Sequence, residues 1–267
     1  MTKTNDLSVS FSGSGFLIFA HCGAACALED LGKNIREVSG SSGGSIISSL
    51  LAIGLTSEQI RHLAFSTDLT KFITFDPTAL FSRGLCYGDR LNNWLRQTLG
   101  PTTFAQAKIP TRILATDLEA GGIFCFSPET TPNALLAEAC RCSASVPFVY
   151  VPAQYNGRIY LDGGMCDNLP LNFLTLPDTQ RIALQVQSGS SAASVSSLLD
   201  FSKQMINTML SASEQNMVAF GKATGTEIIP INASDFGFLN TNLTLAQKQT
   251  LFQRGYDAVT AFYSAAS

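Results

Sequence analysis

An extended run, Ile35 to Ser39, breaks at Gly40-Ser41-Ser42-Gly43-Gly44 and passes at once into a small-residue, apolar helix pattern through Ile46, Ile47, Leu50 and Leu51. Gly40, Ser42 and Gly44 have the G-x-S-x-G spacing of a nucleophile elbow, where a serine sits on a strained strand-to-helix corner with its oxygen exposed. The glycines leave space where a Cβ would clash with so tight a turn. Upstream, Leu7 to Phe11 reads as a short strand, Ser12 to Gly15 as a loop, and Ala24, Ala27, Leu28 and Leu31 as a helix stopped by Gly32. Strand, glycine loop, helix, strand, elbow, helix makes two successive βα units, which implies a parallel sheet.

The rest of the chain extends that pattern. The Thr56-x-x-Gln59 capping box opens a helix to Phe65, and Asp89 to Leu99 is an amphipathic helix stopped by Gly100-Pro101. Between them, residues 66–88 carry Phe72, Phe75 and Phe81 with little periodicity and read as a long loop or cover. Thr111 to Thr116 is a strand, and Gly121-Gly122 turns into Ile123 to Phe126. Pro132 suits the first turn of a helix reaching Cys140. Asn156-Gly157 is a strong hairpin signal feeding the strand Arg158 to Leu161. Strands at Arg181 to Val186 and Glu227 to Ile231 flank one or two long helices within 194–220, and Leu245 to Phe262 closes the chain as a helix. The expectation is a single domain over 1–267: an α/β three-layer sandwich, with a central, mainly parallel sheet and helices on both faces.

Composition narrows the function classes. Charged residues are 14% of the chain and the net charge is −3 with no basic run, so nucleic-acid binding has no electrostatic support. So little charge suits a heavily buried sheet and greasy ligands. Met1 to Asp6 lacks the apolar core of a signal peptide, and no stretch approaches the ~20 apolar residues of a transmembrane helix. The expected location is cytoplasmic. The seven cysteines show no C-x-x-C and read as reduced, buried thiols.

A serine that cleaves esters needs a base, donors for the oxyanion and an apolar place for the substrate. His21 and His62 are the only histidines, so the order Ser…Asp…His is impossible downstream of Ser42. Each reads as an ordinary helix histidine, and a carboxylate must be considered. Asp162 ends the strand launched by Asn156-Gly157 and precedes Gly163-Gly164. By itself it is either a plain turn residue or a base. Asp117 and Asp167 read as turn or cap carboxylates.

Three blocks resemble the patatin-like phospholipase family. Ser10-Phe11-Ser12-Gly13-Ser14-Gly15-Phe16 is similar to its glycine-rich oxyanion loop, Gly40 to Gly44 to its nucleophile motif, and Asp162-Gly163-Gly164 to its D-G-[GA] motif. Ala115 to Leu118 and Ser143 to Pro147 also look like family blocks, so the resemblance runs from about Leu7 to Val186. It implies Ser42 as nucleophile, Asp162 as base, and backbone donors from Gly13, Ser14, Gly15 and Gly43, with no metal or cofactor. The implied substrate is a phospholipid or other acyl lipid met at a membrane surface. Ser14 stands where many members have a glycine, and Leu17 and Ile18 take the place of a basic residue and a glycine. That form is closer to the triacylglycerol-lipase branch. Two alternatives share the layout: an acyltransferase and a catalytically silent lipid-binding protein. The phenylalanines of 65–81 and the apolar faces of 198–210 and 236–239 are either core or surfaces that line an acyl channel or touch a membrane, and Phe72, Phe75 and Phe81 are candidates for a lid.

Overall fold

The computed structural model describes residues 5–189 and 196–265. Among them, eight strands form one sheet: β1 (Asp6–Phe11), β2 (Asn34–Ser41), β3 (Thr111–Asp117), β4 (Gly122–Phe126), β5 (Ala153–Tyr155), β6 (Arg158–Asp162), β7 (Gln180–Ser188) and β8 (Glu227–Ala233). The order is β5-β6-β3-β2-β1-β7-β8, with β4 also paired to β3. The run from β3 through β2, β1 and β7 to β8 is parallel, and β4, β5 and β6 add antiparallel pairs at one end. The architecture is therefore mixed α/β with a central, mainly parallel sheet flanked by helices.

Strand alternation assigns the two faces. Leu7, Val9 and Phe11 enter the large core shared with helices α1 (Ile18–Asp30), α2 (Gly43–Ala52), α3 (Ser57–Ser66) and α7 (Leu245–Ala265). Residues facing the other way along β1 and β2 are polar and buried: Ser8, Ser10, Glu37, Ser39 and Ser41. They are covered by the loop that follows β6, whose 3₁₀ turns lie at Gly163–Met165 and Leu171–Phe173. Ser39 Oγ donates to the Pro170 carbonyl at 2.7 Å, and Glu37 accepts from the Thr175 and Leu176 amides. Glu37 also forms a buried ion pair with Arg112. So many donors on Glu37 offset the desolvation of a charge placed inside the protein. Beyond that polar patch, α6 (Leu198–Thr224) covers the same face on a small cluster of Leu169, Leu171 and Ala183 with Met217, Val218 and Ile228.

Local signals set most boundaries. The Thr56–Gln59 capping box forms in both directions, and Asn156 and Gly157 adopt φ of +49° and +76° at the β5–β6 turn. The helix expected from Pro132 starts only at Leu136, as α5 (Leu136–Ser143), because Leu135 is held extended in a β-bridge to Thr103. The long helical stretch is one helix, α6, capped by the Ser197 hydroxyl, while the expected start at 194 lies outside the described residues. Segment 66–88 leads into α4 (Asp89–Leu99) and divides by residue. Phe72 is buried against Phe16 and Trp94, whereas Phe75 and Phe81 are 61% and 93% exposed. The cysteines are free thiols, with Cys22, Cys26, Cys86, Cys140 and Cys142 buried. Among the described residues, no helix is long and apolar enough to cross a membrane.

Candidate active site

Ser42 occupies the corner between β2 and α2 with φ of +49° and ψ of −123°, a region L-residues seldom adopt. Such a conformation costs about 1–3 kcal/mol and persists only where its surroundings enforce it. Here the enforcement is visible. The Ser42 amide donates to Ser143 Oγ at 2.8 Å, and its carbonyl accepts from Ser45 Oγ at 2.6 Å and from Ser45 N–H at 3.0 Å. The turn is also tight enough to demand glycine, since a Cβ on Gly40 would stand 2.5 Å from the backbone carbonyl oxygen of Gly44. Helix α2 then begins at Gly43, so the positive end of its dipole faces the serine.

Asp162 reaches the same corner through β3. On one edge of β3, β4 runs alongside from Ile113 to Asp117. On the other, β2 pairs up to Ser41↔Leu114 and stops, and β6 takes over from Ala115↔Asp162. The last residue of β2 and the last of β6 thus face consecutive residues of β3. The Asp162 amide donates to the Ser145 carbonyl and its own carbonyl accepts from Thr116 Oγ1, both at 2.9 Å. Asp162 Oδ1 takes the Gly164 amide at 2.9 Å. Oδ2 is buried with no formed hydrogen bond, although the Ser42 hydroxyl is near enough to favour the charged form. Burial prevails and pushes the Asp162 carboxyl up to about 6.

The glycine loop lies over the start of α2. A Cβ on Gly43 would meet Gly15 O and Ser14 Oγ at 2.6 Å and Gly15 N at 3.1 Å. The Gly13 amide, expected to point at substrate, instead donates to the Asn168 carbonyl at 2.8 Å. Among the described residues, the Ser14 and Gly15 amides have no acceptor. His21 Nε2 donates to the Ser12 carbonyl at 2.9 Å and so braces this loop. Burial lowers its pKa to about 4, which keeps the ring neutral. His62 is exposed on α3. Asp117 accepts the Glu119 and Ala120 amides and pairs with Arg158, and Asp167 caps the Leu169 amide, so both are turn residues.

Two cavities meet at Ser42, Gly15 and Val146. One is a chamber of about 400 Å³ with a mixed lining, polar at Asp162, Asn168, Gln185 and Glu214 and apolar at Ile206, Leu210, Val218 and Phe238. The other is an apolar slot of about 40 Å³ between Phe16, Ile46, Leu69, Phe72, Trp94 and Leu239. Sequence reasoning missed three residues here: Ser143 as the acceptor for the Ser42 amide, and Asn168 and Glu214, joined at 2.6 Å. Ser143 lay inside a family-like block, but nothing local marks the other two. Among the described residues, no group of three or more His, Cys, Asp or Glu is placed to hold a metal ion.

The chain is similar to known proteins. A protein of Acanthamoeba polyphaga mimivirus, R571, is 27% identical over 94% of this chain and 92% of its own length. A probable lipid hydrolase of Invertebrate iridescent virus 6 is 25% identical, over 86% of this chain and 80% of its own. VipD from Legionella pneumophila has the same fold, with a TM-score of 0.72 at 17% identity, over 97% of this chain and 66% of VipD. The family model described as patatin-like phospholipase matches residues 9–175, a span that takes in the glycine loop, the elbow and the strand-end aspartate. That match covers well over half of the sequence, and the chain belongs to the patatin-like phospholipase family.

Proposed function

We propose that this chain is a lipid acyl hydrolase that cleaves acyl esters of membrane or neutral lipids through a Ser42–Asp162 dyad. Family membership supports lipid hydrolysis in general. The observation that carries the dyad is the approach of the Ser42 hydroxyl to a buried carboxylate whose Oδ2 has no formed hydrogen bond, at the junction of the two cavities.

Asp162 accepts the Ser42 proton as Oγ attacks the ester carbonyl, forming a C–O bond and a tetrahedral oxyanion. The Ser14, Gly15 and Gly43 amides and the N-terminus of α2 stabilise that oxyanion; losing one such donor typically costs about 10²–10³ in rate. Gly13 contributes by the absence of a side chain, since a Cβ there would collide with Asn168. The intermediate collapses, the alcohol departs with the proton from Asp162, and an acyl-serine remains. A water then gives its proton to Asp162 and attacks the acyl carbonyl, and as this second intermediate collapses Asp162 passes the proton to Ser42 Oγ and the fatty acid departs. The acyl chain occupies the apolar slot, whose narrowness requires Leu69 or Phe72 to yield as the chain enters. The leaving alcohol occupies the larger chamber.

A fluorophosphonate probe tests this reading. It is expected to label Ser42, and Ser42→Ala to lose both labelling and hydrolysis of lipid vesicles and of p-nitrophenyl butyrate. Labelling that persists at another serine in the Ala variant refutes the assignment. An acyltransferase would instead pass the acyl group to an alcohol or thiol far faster than to water.

A further inference from the structure

The larger chamber holds no cationic side chain among the described residues: none of its lining is Lys or Arg. The two lysines of α6, Lys203 and Lys222, are exposed and outside the lining. The charges it does hold are carboxyls, Asp162 at the reacting end and Glu214 on the α6 wall. Glu214 cannot turn away: Oε2 accepts from Asn168 Nδ2 at 2.6 Å and Oε1 from Gln185 Nε2 at 2.5 Å. Asn168 is in turn fixed through its amide to Ser213 Oγ at 2.8 Å. Further amide side chains, Gln187, Asn207 and Gln215, line the chamber beside the apolar Ile206, Leu210 and Val218.

A phosphate in this space would lose its hydration, meet no counter-charge and lie beside a carboxyl that is itself poorly solvated. Burial already raises the Glu214 carboxyl above its ordinary range. An uncharged polyol is different, because its hydroxyls donate to the free lone pairs of Glu214 and accept from the chamber's amides. The geometry points to Glu214 as a specificity residue that admits esters of uncharged, hydroxyl-bearing alcohols and rejects those of phosphorylated alcohols. This rests on the proposed hydrolase reading and names its substrate class: acylglycerols and similar neutral lipids rather than phospholipids. The discrimination is built partly from a repulsive element, as specific sites commonly are.

Binding to the Ser42→Ala variant tests the inference without turnover. Monodecanoylglycerol and decanoyl lysophosphatidate share an acyl chain and differ only by the phosphate, and each can be titrated calorimetrically below its aggregation threshold. Ser42→Ala is expected to bind the glycerol ester at least tenfold more tightly. Adding Glu214→Gln, with folding checked by thermal melting, should narrow that gap at least threefold, mainly by improving lysophosphatidate. Equal or tighter binding of lysophosphatidate to Ser42→Ala overturns the proposal, as does failure of both ligands to bind. A gap unaffected by Glu214→Gln in a folded protein removes Glu214 from the role. Wild-type hydrolysis of monodecanoylglycerol is read separately: binding without turnover refutes the hydrolase reading and leaves the selectivity standing.

Discussion

The backbone N–H of Ser42 donates to the hydroxyl of Ser143 at 2.8 Å, so the amide of the elbow serine is held by the end of α5. Two residues later the same segment accepts the Asp162 amide on the Ser145 carbonyl. One short stretch of chain therefore positions both members of the proposed dyad. Ser143→Ala leaves a buried donor unpaired at a strained corner, a loss of about 1–3 kcal/mol. We expect kcat on p-nitrophenyl butyrate to fall roughly tenfold, which corresponds to ~1.4 kcal/mol on the barrier. An unchanged kcat in a folded Ser143→Ala protein would show that this bond does not hold the serine in its reactive geometry.

Burial sets the pH dependence of the base. With the Asp162 carboxyl pushed up to about 6, the ionised form that can take the serine proton prevails only above that pH. For an uncharged soluble ester, kcat/KM should rise through pH 6 and level off, standing at pH 5 near a tenth of its plateau, roughly as one ionisation requires. A flat profile between pH 5 and 8 would exclude Asp162 as a base titrating near 6.

The same shift makes Asp162 a liability for stability. Its folded value of about 6 exceeds the ordinary 3.8, so the native state holds the proton more firmly than the unfolded chain. The ionised carboxylate therefore costs nothing below pH 3.8 and its full amount above about 6. A gap of about two pH units at ~1.4 kcal/mol each gives up to ~3 kcal/mol. Asp162→Asn keeps an acceptor for the Gly164 amide and should be more stable than wild type by up to that amount at pH 8, while inactive. At pH 4 the two should melt alike. Urea titration at both pH values measures the difference, and equal stability at pH 8 contradicts it.

The phenylalanines of 66–88 separate into core and surface. Phe72 packs 5.5 Å from Trp94 between ring centroids, whereas Phe75 and Phe81 project outward. Exposed apolar area gains roughly 25 cal/mol per Å² on entering a lipid surface, an attraction largely insensitive to salt. Phe75→Ser and Phe81→Ser should lose activity on acylglycerol carried in vesicles while keeping Tm and activity on a soluble ester. Phe72→Ser should lower Tm and both activities, with a stability loss on the order of 3–5 kcal/mol. If Phe75→Ser and Phe81→Ser also lower Tm and both activities together, no surface-docking role remains.

By itself the sequence determined what depends on neighbouring residues: the elbow at Gly40–Gly44, the Thr56–Gln59 cap, the Asn156-Gly157 turn and the alternation of β1. A positive φ, a cap or a strand face is a demand that a few adjacent side chains either meet or fail to meet. The motifs also named Ser42 and Asp162, but only the tertiary structure put them at one corner, because β6 takes up the edge of β3 where β2 leaves it. The start of α5 was decided in the same way, by a bridge from Leu135 to a distant Thr103. So were the Ser143 acceptor, the engagement of the Gly13 amide by Asn168, and the placing of Glu214 opposite Gln185. Apart from Ser143, which falls in a family-like block, none of these leaves a local trace, since a hydrogen bond between remote segments constrains neither the periodicity nor the turn chemistry of the residues that make it.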